Sequence, residues 1–217
     1  IEVMAKNDCY KLVFSSSATI YGSTNSQKIK EDHHINPYNP YGHTKAAVED
    51  LLTDLYNSNN KWSLAILRYF NPVGAHSSGE IGEDPFGIPN NLFPFICQVA
   101  VGRLDKLLVF GNDWPTLDGT GVRDYIHVID LAEGHLSALK NLFESNNKRI
   151  LKLNLGSGKG HSVLEVIKTF SQVTGVDIPY SITKRRKGDT AITVADASLS
   201  KNILGWETKR SLFEMCR

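Results

Sequence analysis

Apolar positions along the chain follow two rhythms. Residues 11–16 hold an unbroken apolar run, Leu12-Val13-Phe14, that ends in hydroxyls at Ser15-Ser16-Ser17. A short continuous run of this kind reads as a strand of a parallel sheet, buried on both faces. Residues 18–22 continue it into a turn. From about 41 to 56 the rhythm changes, with Ala46, Ala47, Val48, Leu51, Leu52 and Leu55 recurring at helical spacing. Pro40 stands just ahead, where proline suits a helix start, and Asn57-Ser58-Asn59-Asn60 stops the pattern. Residues 62–70 are apolar again and predict a second strand. Strand, helix, strand in this order implies a right-handed parallel crossover. Ligands of open α/β sheets gather at the carboxyl ends of the strands, which is where Ser17 and Asn71 fall.

The remainder keeps alternating. Residues 23–39 are polar, contain Pro37, and predict a surface loop. Asn71-Pro72-Val73-Gly74 opens a Gly/Pro-rich stretch that runs to Asn91, and a loop of that length in a compact domain is usually functional. Residues 92–101 predict a helix, 107–110 a strand, 118–121 a turn and 122–128 a strand. A helix over 130–143 is expected to turn Leu131, Leu136, Leu139 and Leu142 inward. A strand at 151–155 runs into Gly156-Ser157-Gly158-Lys159-Gly160-His161-Ser162, ahead of a helix carrying Val163, Val166, Ile167, Phe170 and Val173. The glycines suggest a phosphate cradle. They miss G-x-G-x-x-G, because one residue separates the last two, and no G-K-[ST] follows, so the reading is a tight strand-to-helix turn. Residues 178–183 are extended, and Leu212-Phe213 begin a helix. The fold class is α/β, built on a parallel sheet.

Composition narrows the function. The 217 residues suffice for one or two domains, and 41% apolar with 22% charged residues is ordinary for a globular chain. A formal net charge of +1 suggests no nucleic-acid partner. No apolar run approaches the ~20 residues of a membrane span, so no membrane partner is expected. Cys9, Cys97 and Cys216 are odd in number and far apart, with no C-x-x-C, which reads as reduced thiols in a cytoplasmic protein. The seven histidines make no ligand pattern, so no metal is expected.

Candidate chemistry sits at Tyr41-Gly42-His43-Thr44-Lys45. On a helix this spacing puts a phenol and an ammonium one turn apart on one face. A phenol is a poor base at neutral pH, and a nearby ammonium favours its ionised form. Such a pair can move a proton to or from an alcohol. By itself the pair also reads as a half-buried helix tyrosine beside a solvated lysine, and Tyr180/Lys184 has identical spacing. The helical pattern after Tyr41 and the serine-tipped strand upstream set the first pair apart. Lys184-Arg185-Arg186-Lys187-Gly188-Asp189 is either a solvated charge run or, with Arg123, a diphosphate clamp.

Seven segments carry a family resemblance: F-S-S-S-A-T-I-Y-G at 14–22, N-P-Y-G-H-T-K at 39–45, L-R-Y-F-N-P-V-G-A-H at 67–76, G-E-D-P-F-G-I-P-N-N-L at 82–92, F-G-N-D-W-P-T at 110–116, D-G-T-G-V-R-D-Y-I-H-V at 118–128 and R-R-K-G-D at 185–189. Across essentially its whole length the chain resembles the extended short-chain dehydrogenase/reductases and, within them, the UDP-galactose (UDP-glucose) 4-epimerases. The resemblance implies part of a Rossmann-like, NAD-binding parallel sheet over 1–72. Over 73–217 it implies mainly a smaller α/β UDP-sugar-binding domain, with about 107–150 returning to the Rossmann sheet. Tyr41 then corresponds to the catalytic base, Lys45 to its partner, and Ser17 to the hydroxyl that bonds both the sugar 4-hydroxyl and Tyr41. Ser15, Ser17, Tyr41, Lys45 and Phe70 correspond to the cofactor-side residues. Asn71, Asn91 and Leu92 correspond to UDP-sugar contacts, Leu108, Val109 and Phe110 to the uracil site, and Arg123, Arg186 and Asp189 to the holders of diphosphate and ribose. The implied reaction interconverts UDP-galactose and UDP-glucose by oxidation and reduction at C4, with NAD carrying the hydride. A homodimer is implied as well. Dehydratase relatives carry an acid/base pair just after the active-site hydroxyl. Ala18-Thr19 occupies that place here, which disfavours dehydration.

Two departures modify the expectation. The glycine turn and acidic residue that open the family's nucleotide-binding half are absent from these residues, so a piece of a longer epimerase, or an inactive UDP-sugar-binding module, is also expected. Thr193 stands where relatives carry either a bulky tyrosine or a smaller residue, which implies room for a 2-acetamido group.

Overall fold

The computed structural model describes residues 1–23, 27–59, 61–85, 87–145 and 147–217. Asn60 of the predicted helix stop and Phe86 of the predicted 71–91 loop lie outside the described residues. A short helix α1 (Glu2–Lys6) precedes β1 (Lys11–Ser17), a 3-10 turn (Ala18–Tyr21) and the long helix α2 (Pro40–Ser58). β2 (Ser63–Tyr69), β3 (Asn71–Val73), α3 (Leu92–Ala100), β4 (Leu107–Phe110) and β5 (Val122–His127) follow. Then come α4 (Val128–Glu144), β6 (Ile150–Leu155), β7 (Gly160–Ser162), α5 (Val163–Thr174), β8 (Tyr180–Thr183), β9 (Ile192–Thr193), α6 (Ser198–Leu204) and α7 (Leu212–Cys216).

β1, β2 and β6 form one parallel sheet in that order, with Ser16 opposite Arg68 and Ser17 opposite Tyr69. The fold is α/β, with this Rossmann-like sheet beside smaller sheets. The apolar run of β2 is buried from Ser63 to Arg68, as a central parallel strand should be. α2 covers one face over Leu52, Trp62, Leu64 and Ile66, and α4 covers the other over Ala65, Leu67, Leu153 and Leu155. A second core holds Ile96, Val109, Tyr125, Val166 and Phe170 between α3, α5 and the short strands. There β5 pairs with β3, β7 and β9, and β4 pairs with β8. Residues 107–150 thus divide: α4 packs on the three-stranded sheet, while β4 lies in the β4–β8 pair.

The periodic positions do not all face inward. Along α2, Leu52 is buried, but Val48 and Leu51 are exposed and Glu49 is fully buried. Along α4, Leu131 and Leu142 are buried, whereas Leu136 and Leu139 are exposed and Gly134 and Ala138 take the inner stripe. In both helices small or charged side chains take buried positions where the leucine period would put an apolar one. The stretch after Phe70, expected as loop, begins with β3, because Asn71–Val73 pairs in parallel with Tyr125–His127. α6 and β9 arise where no apolar rhythm predicts them.

Candidate active site

The end of β1 and the start of α2 meet through close packing. Asn39 caps α2, its side-chain oxygen accepting from the Gly42 N–H at 2.7 Å. A Cβ on Gly42 would lie 2.9 Å from both the Thr19 carbonyl oxygen and Pro37 Cβ. Glycine therefore lets α2 settle on the 3-10 turn that follows Ser17. Lys45 Nζ donates to the Ser15 carbonyl at 2.9 Å and lies 5.5 Å from the Tyr41 ring centroid. Ser17 Oγ accepts from Thr19 N (3.3 Å) and Thr19 Oγ1 (3.0 Å), which leaves its own proton free to donate. Thr19 is thereby engaged in holding Ser17. The Tyr41 ring is exposed at the site, and no hydrogen bond joins its hydroxyl to the described residues.

A second phenol stands close by. Tyr69 donates to Ser15 Oγ at 2.5 Å and also contacts His135 Nε2, while His135 Nδ1 bonds the Leu131 carbonyl. Burial raises the Tyr69 pKa against the lowering effect of Ser15, and the charge of a nearby Tyr41 raises it further. Tyr69 therefore keeps its proton at neutral pH.

Tyr41, Ser17, Phe70 and Asn71 line one side of a cavity of about 880 Å³, within the usual range for ligand sites. Asn91, Leu92, Leu108, Val109, Phe110, Arg123, Arg186 and Asp189 line it too. Arg186 stacks 4.7 Å from the Phe110 ring and grips Asp189 with Nε (3.0 Å) and Nη2 (3.3 Å). Arg123 Nη1 donates to the Val122 and Thr190 carbonyls, both at 2.9 Å, leaving its other donors for a ligand. Asn71 is held by its amide on the Asp124 carbonyl at 2.8 Å. Two guanidiniums beside an aromatic ring suit an anionic, ring-bearing ligand. Ser15, Lys45 and Thr193 are not among the lining residues. Thr193 pairs in register with Arg123 and bonds Thr190 through its hydroxyl at 2.8 Å.

The glycine-rich turn after β6 is filled by the protein itself. Asp124 accepts from Ser157 N (2.8 Å), Ser157 Oγ (2.6 Å), Gly158 N (2.9 Å) and Ala195 N (3.0 Å). A Cβ on Gly156 would stand 2.7 Å from the same carboxylate. The amides that could cradle a phosphate thus hold a carboxylate. Burial raises the Asp124 pKa against these bonds.

One cluster escaped the sequence reading. Glu49 and Arg68, both buried, form an ion pair at 2.7 Å between α2 and β2. The signal was a charged residue inside each of two apolar patterns, Arg68 in L-A-I-L-R-Y-F and Glu49 among the helix leucines.

Among the described residues no group of three or more His, Cys, Asp or Glu could hold a metal. The donors do fit the nicotinamide-ribose end of a dinucleotide. The Lys45 ammonium spends one donor on Ser15 and has two left, 5.5 Å from the Tyr41 ring centroid.

Comparison with known proteins then decides the family. The whole chain, residues 1–217, matches the family described as GDP-mannose 4,6 dehydratase. The chain belongs to this family. The sequence is 56% identical over 215 residues to a UDP-glucose 4-epimerase of Bacillus subtilis, covering 99% of this chain and 63% of the relative. It is 54% identical over 217 residues to UDP-glucose 4-epimerase 4 of Oryza sativa, covering 100% and 58%. A crystal structure of UDP-glucose-4-epimerase from Stenotrophomonas maltophila, with bound NAD and formylated UDP-arabinopyranose, superposes with a TM-score of 0.97 at 50% identity, over 100% of this chain and 64% of that one. The chain therefore spans about three fifths of the length of these relatives.

Proposed function

We propose that this chain carries the proton-transfer and UDP-sugar half of an NAD-dependent UDP-glucose 4-epimerase. The observation that carries the reading is the single cavity that joins Tyr41 and Ser17 to Phe110, Arg123, Arg186 and Asp189. An uncharged alcohol at one end and a nucleoside diphosphate at the other would occupy such a cavity. The named relatives point the same way.

In this reading Arg123 and Arg186 hold the diphosphate, Leu108, Val109 and Phe110 flank the uracil, and Asp189 bonds the ribose. Asn71, Asn91 and Leu92 close the hexose end. Ser17 donates to the sugar 4-oxygen, and Tyr41 takes the 4-hydroxyl proton and later returns it. Lys45 holds Tyr41 in place and reaches the nicotinamide ribose. NAD, when bound, supplies the hydride acceptor and donor at C4. Because the grip is on UDP, the hexose ring is free to present either face. Ser15 and Phe70 complete the cofactor side. The glycine turn for the adenosine end is not among these 217 residues, so full cofactor affinity would need residues beyond them. Dehydration fits less well, because Thr19 is tied to Ser17 and Ala18 has no proton to give.

Thr193 lies beside Arg123 with its hydroxyl turned to Thr190. Acceptance of 2-acetamido sugars rests on the resemblance alone, since Thr193 is not among the residues lining the cavity. The check is turnover of UDP-N-acetylglucosamine, which should fall in Thr193→Tyr while UDP-galactose turnover persists. The three unpaired thiols support a reducing, cytoplasmic setting, and no helix among the described residues is long and apolar enough to cross a membrane. Exposed Val48 and Leu51 on α2 support a homodimer.

The test is conversion of UDP-galactose to UDP-glucose with added NAD⁺, by the parent and by Tyr41→Phe. Loss of conversion in the variant is expected. Equal conversion by both would refute the reading.

A further inference from the structure

We propose that the buried Glu49–Arg68 pair is a positioning device that fixes α2 against β1 and β2, and so holds Tyr41 and Lys45 in place over Ser15 and Ser17. The consequence for turnover rests on the proposed reaction; the placement rests on geometry alone.

Tyr41, Lys45 and Glu49 recur every four residues and share one face of α2. Tyr41 is exposed at the cavity, Lys45 is half-buried and Glu49 is fully buried. The stripe descends from the site into the sheet. At its foot the Glu49 carboxylate accepts from Ser16 Oγ (2.5 Å), Arg68 Nε (3.1 Å) and Arg68 Nη2 (2.7 Å). Ser16 and Arg68 are register partners on adjacent strands, so one carboxylate ties α2 to both. Arg68 Nη1 reaches on to the Tyr21 hydroxyl (2.9 Å) and the Glu31 carbonyl (2.8 Å). Tyr21 ends the 3-10 turn after Ser17 and donates to Asn154 of β6 at 2.7 Å. Ser15 and Ser17 are the chain neighbours of Ser16. Every segment that carries a cofactor-side residue is thus tied to this cluster or adjoins a residue that is.

Apolar contact between a helix and a sheet is non-directional, and α2 could slide over Trp62, Leu64 and Ile66 with little loss. A bidentate guanidinium–carboxylate contact has one geometry. A slip of one residue along a helix moves a side chain by ~1.5 Å, and a misplacement of ~1 Å can cost ~10²-fold in rate. Stability is a weak account of the pair, because apolar replacements of buried ion pairs are often neutral or stabilising.

The experiment compares the parent, loaded with NAD⁺, with the double variant Glu49→Leu/Arg68→Met. The double variant is expected to unfold near the parent temperature and to bind UDP as the parent does by calorimetry. Its kcat should fall at least about tenfold while KM stays within about twofold. A second readout needs neither cofactor nor turnover. The Lys45 side chain lies 5.2 Å from the Phe14 ring and 5.5 Å from the Tyr41 ring, so its ε-methylene NMR signal senses both. That signal, assigned by its loss in Lys45→Arg, should move in the double variant. A folded double variant with parental kcat and an unmoved signal would overturn the proposal. A parent that turns nothing over would count against the proposed function, and the Lys45 signal would then decide the positioning role. Should the double variant not fold, Arg68→Lys takes its place, since it keeps the charge and loses the fork. A parental Lys45 signal there would equally overturn the proposal.

Discussion

Tyr41/Lys45 and Tyr180/Lys184 have the same four-residue spacing and nearly the same tyrosine exposure, 54% and 46%. Their surroundings differ completely. Tyr41 and Lys45 stand on α2, where four residues make about one turn and a rise of ~6 Å, and Lys45 is pinned to Ser15 at 2.9 Å. Tyr180 begins β8, and Lys184 follows its last residue, Thr183. At ~3.3 Å per residue, four residues of strand carry the lysine ~13 Å away. Neither Tyr180 nor Lys184 lines the 880 Å³ cavity. Spacing becomes chemistry only when a helix brings the two groups together and a strand end meets them.

The sharpest way to break this contrast is to remove one hydroxyl from each pair. Tyr41→Phe should lower turnover by ~10²–10⁴-fold with the unfolding temperature unchanged. A twofold loss or less would mean, on the same scale, that Tyr41 is no base. Next is the far wall of the cavity. Arg186→Ala should weaken UDP binding by ~1.5–3 kcal/mol, the usual worth of a hydrogen bond to a charged group, which calorimetry would read. An unchanged UDP affinity would return Arg186 to the solvated charge run.

A smaller effect concerns the joint between the two regions. His127 ends β5 and caps α4, its Nδ1 accepting from the Ile129 N–H at 3.1 Å. Burial, with Arg210 nearby, lowers its pKa below the usual value. The unfolded chain therefore takes up this proton first. The contribution of neutral His127 is present above about pH 6.5 and is lost as pH falls toward the folded-state value. Thermal unfolding between pH 7 and pH 5 should lose part of its slope in His127→Asn, because Asn caps without titrating there. An unaltered slope would place the titration elsewhere. The smallest expected effect is that of Tyr180→Phe, whose turnover should match the parent.

Much of this arrangement was legible in the sequence. The strand over 11–17, the helix over 40–58 and the strand over 63–69 follow from runs and periods that packing does not override. The glycine turn was readable as a turn, because its spacing misses the phosphate pattern. Only the structure shows that Asp124 fills it, since the two segments are 33 residues apart along the chain. The inner face of α4 was misread, and the buried Glu49 of α2 missed, for one reason. A hydrophobic period finds leucines, while close helix–sheet approach selects small residues such as Ala138, or a charged residue with a buried partner such as Glu49. That partner, Arg68, lies 19 residues on, and pairing across elements has no local period. Thr193 illustrates the same limit, because the sequence does not show that its hydroxyl turns to Thr190.

The most direct test of the account is conversion of UDP-galactose to UDP-glucose by the 217-residue chain with added NAD⁺, run side by side for the parent, Tyr41→Phe and Tyr180→Phe. With NAD⁺ in large excess, as the absent glycine turn requires, the account predicts conversion by the parent and by Tyr180→Phe, and none above background by Tyr41→Phe. Conversion that survives in Tyr41→Phe, or is lost in Tyr180→Phe, would contradict it.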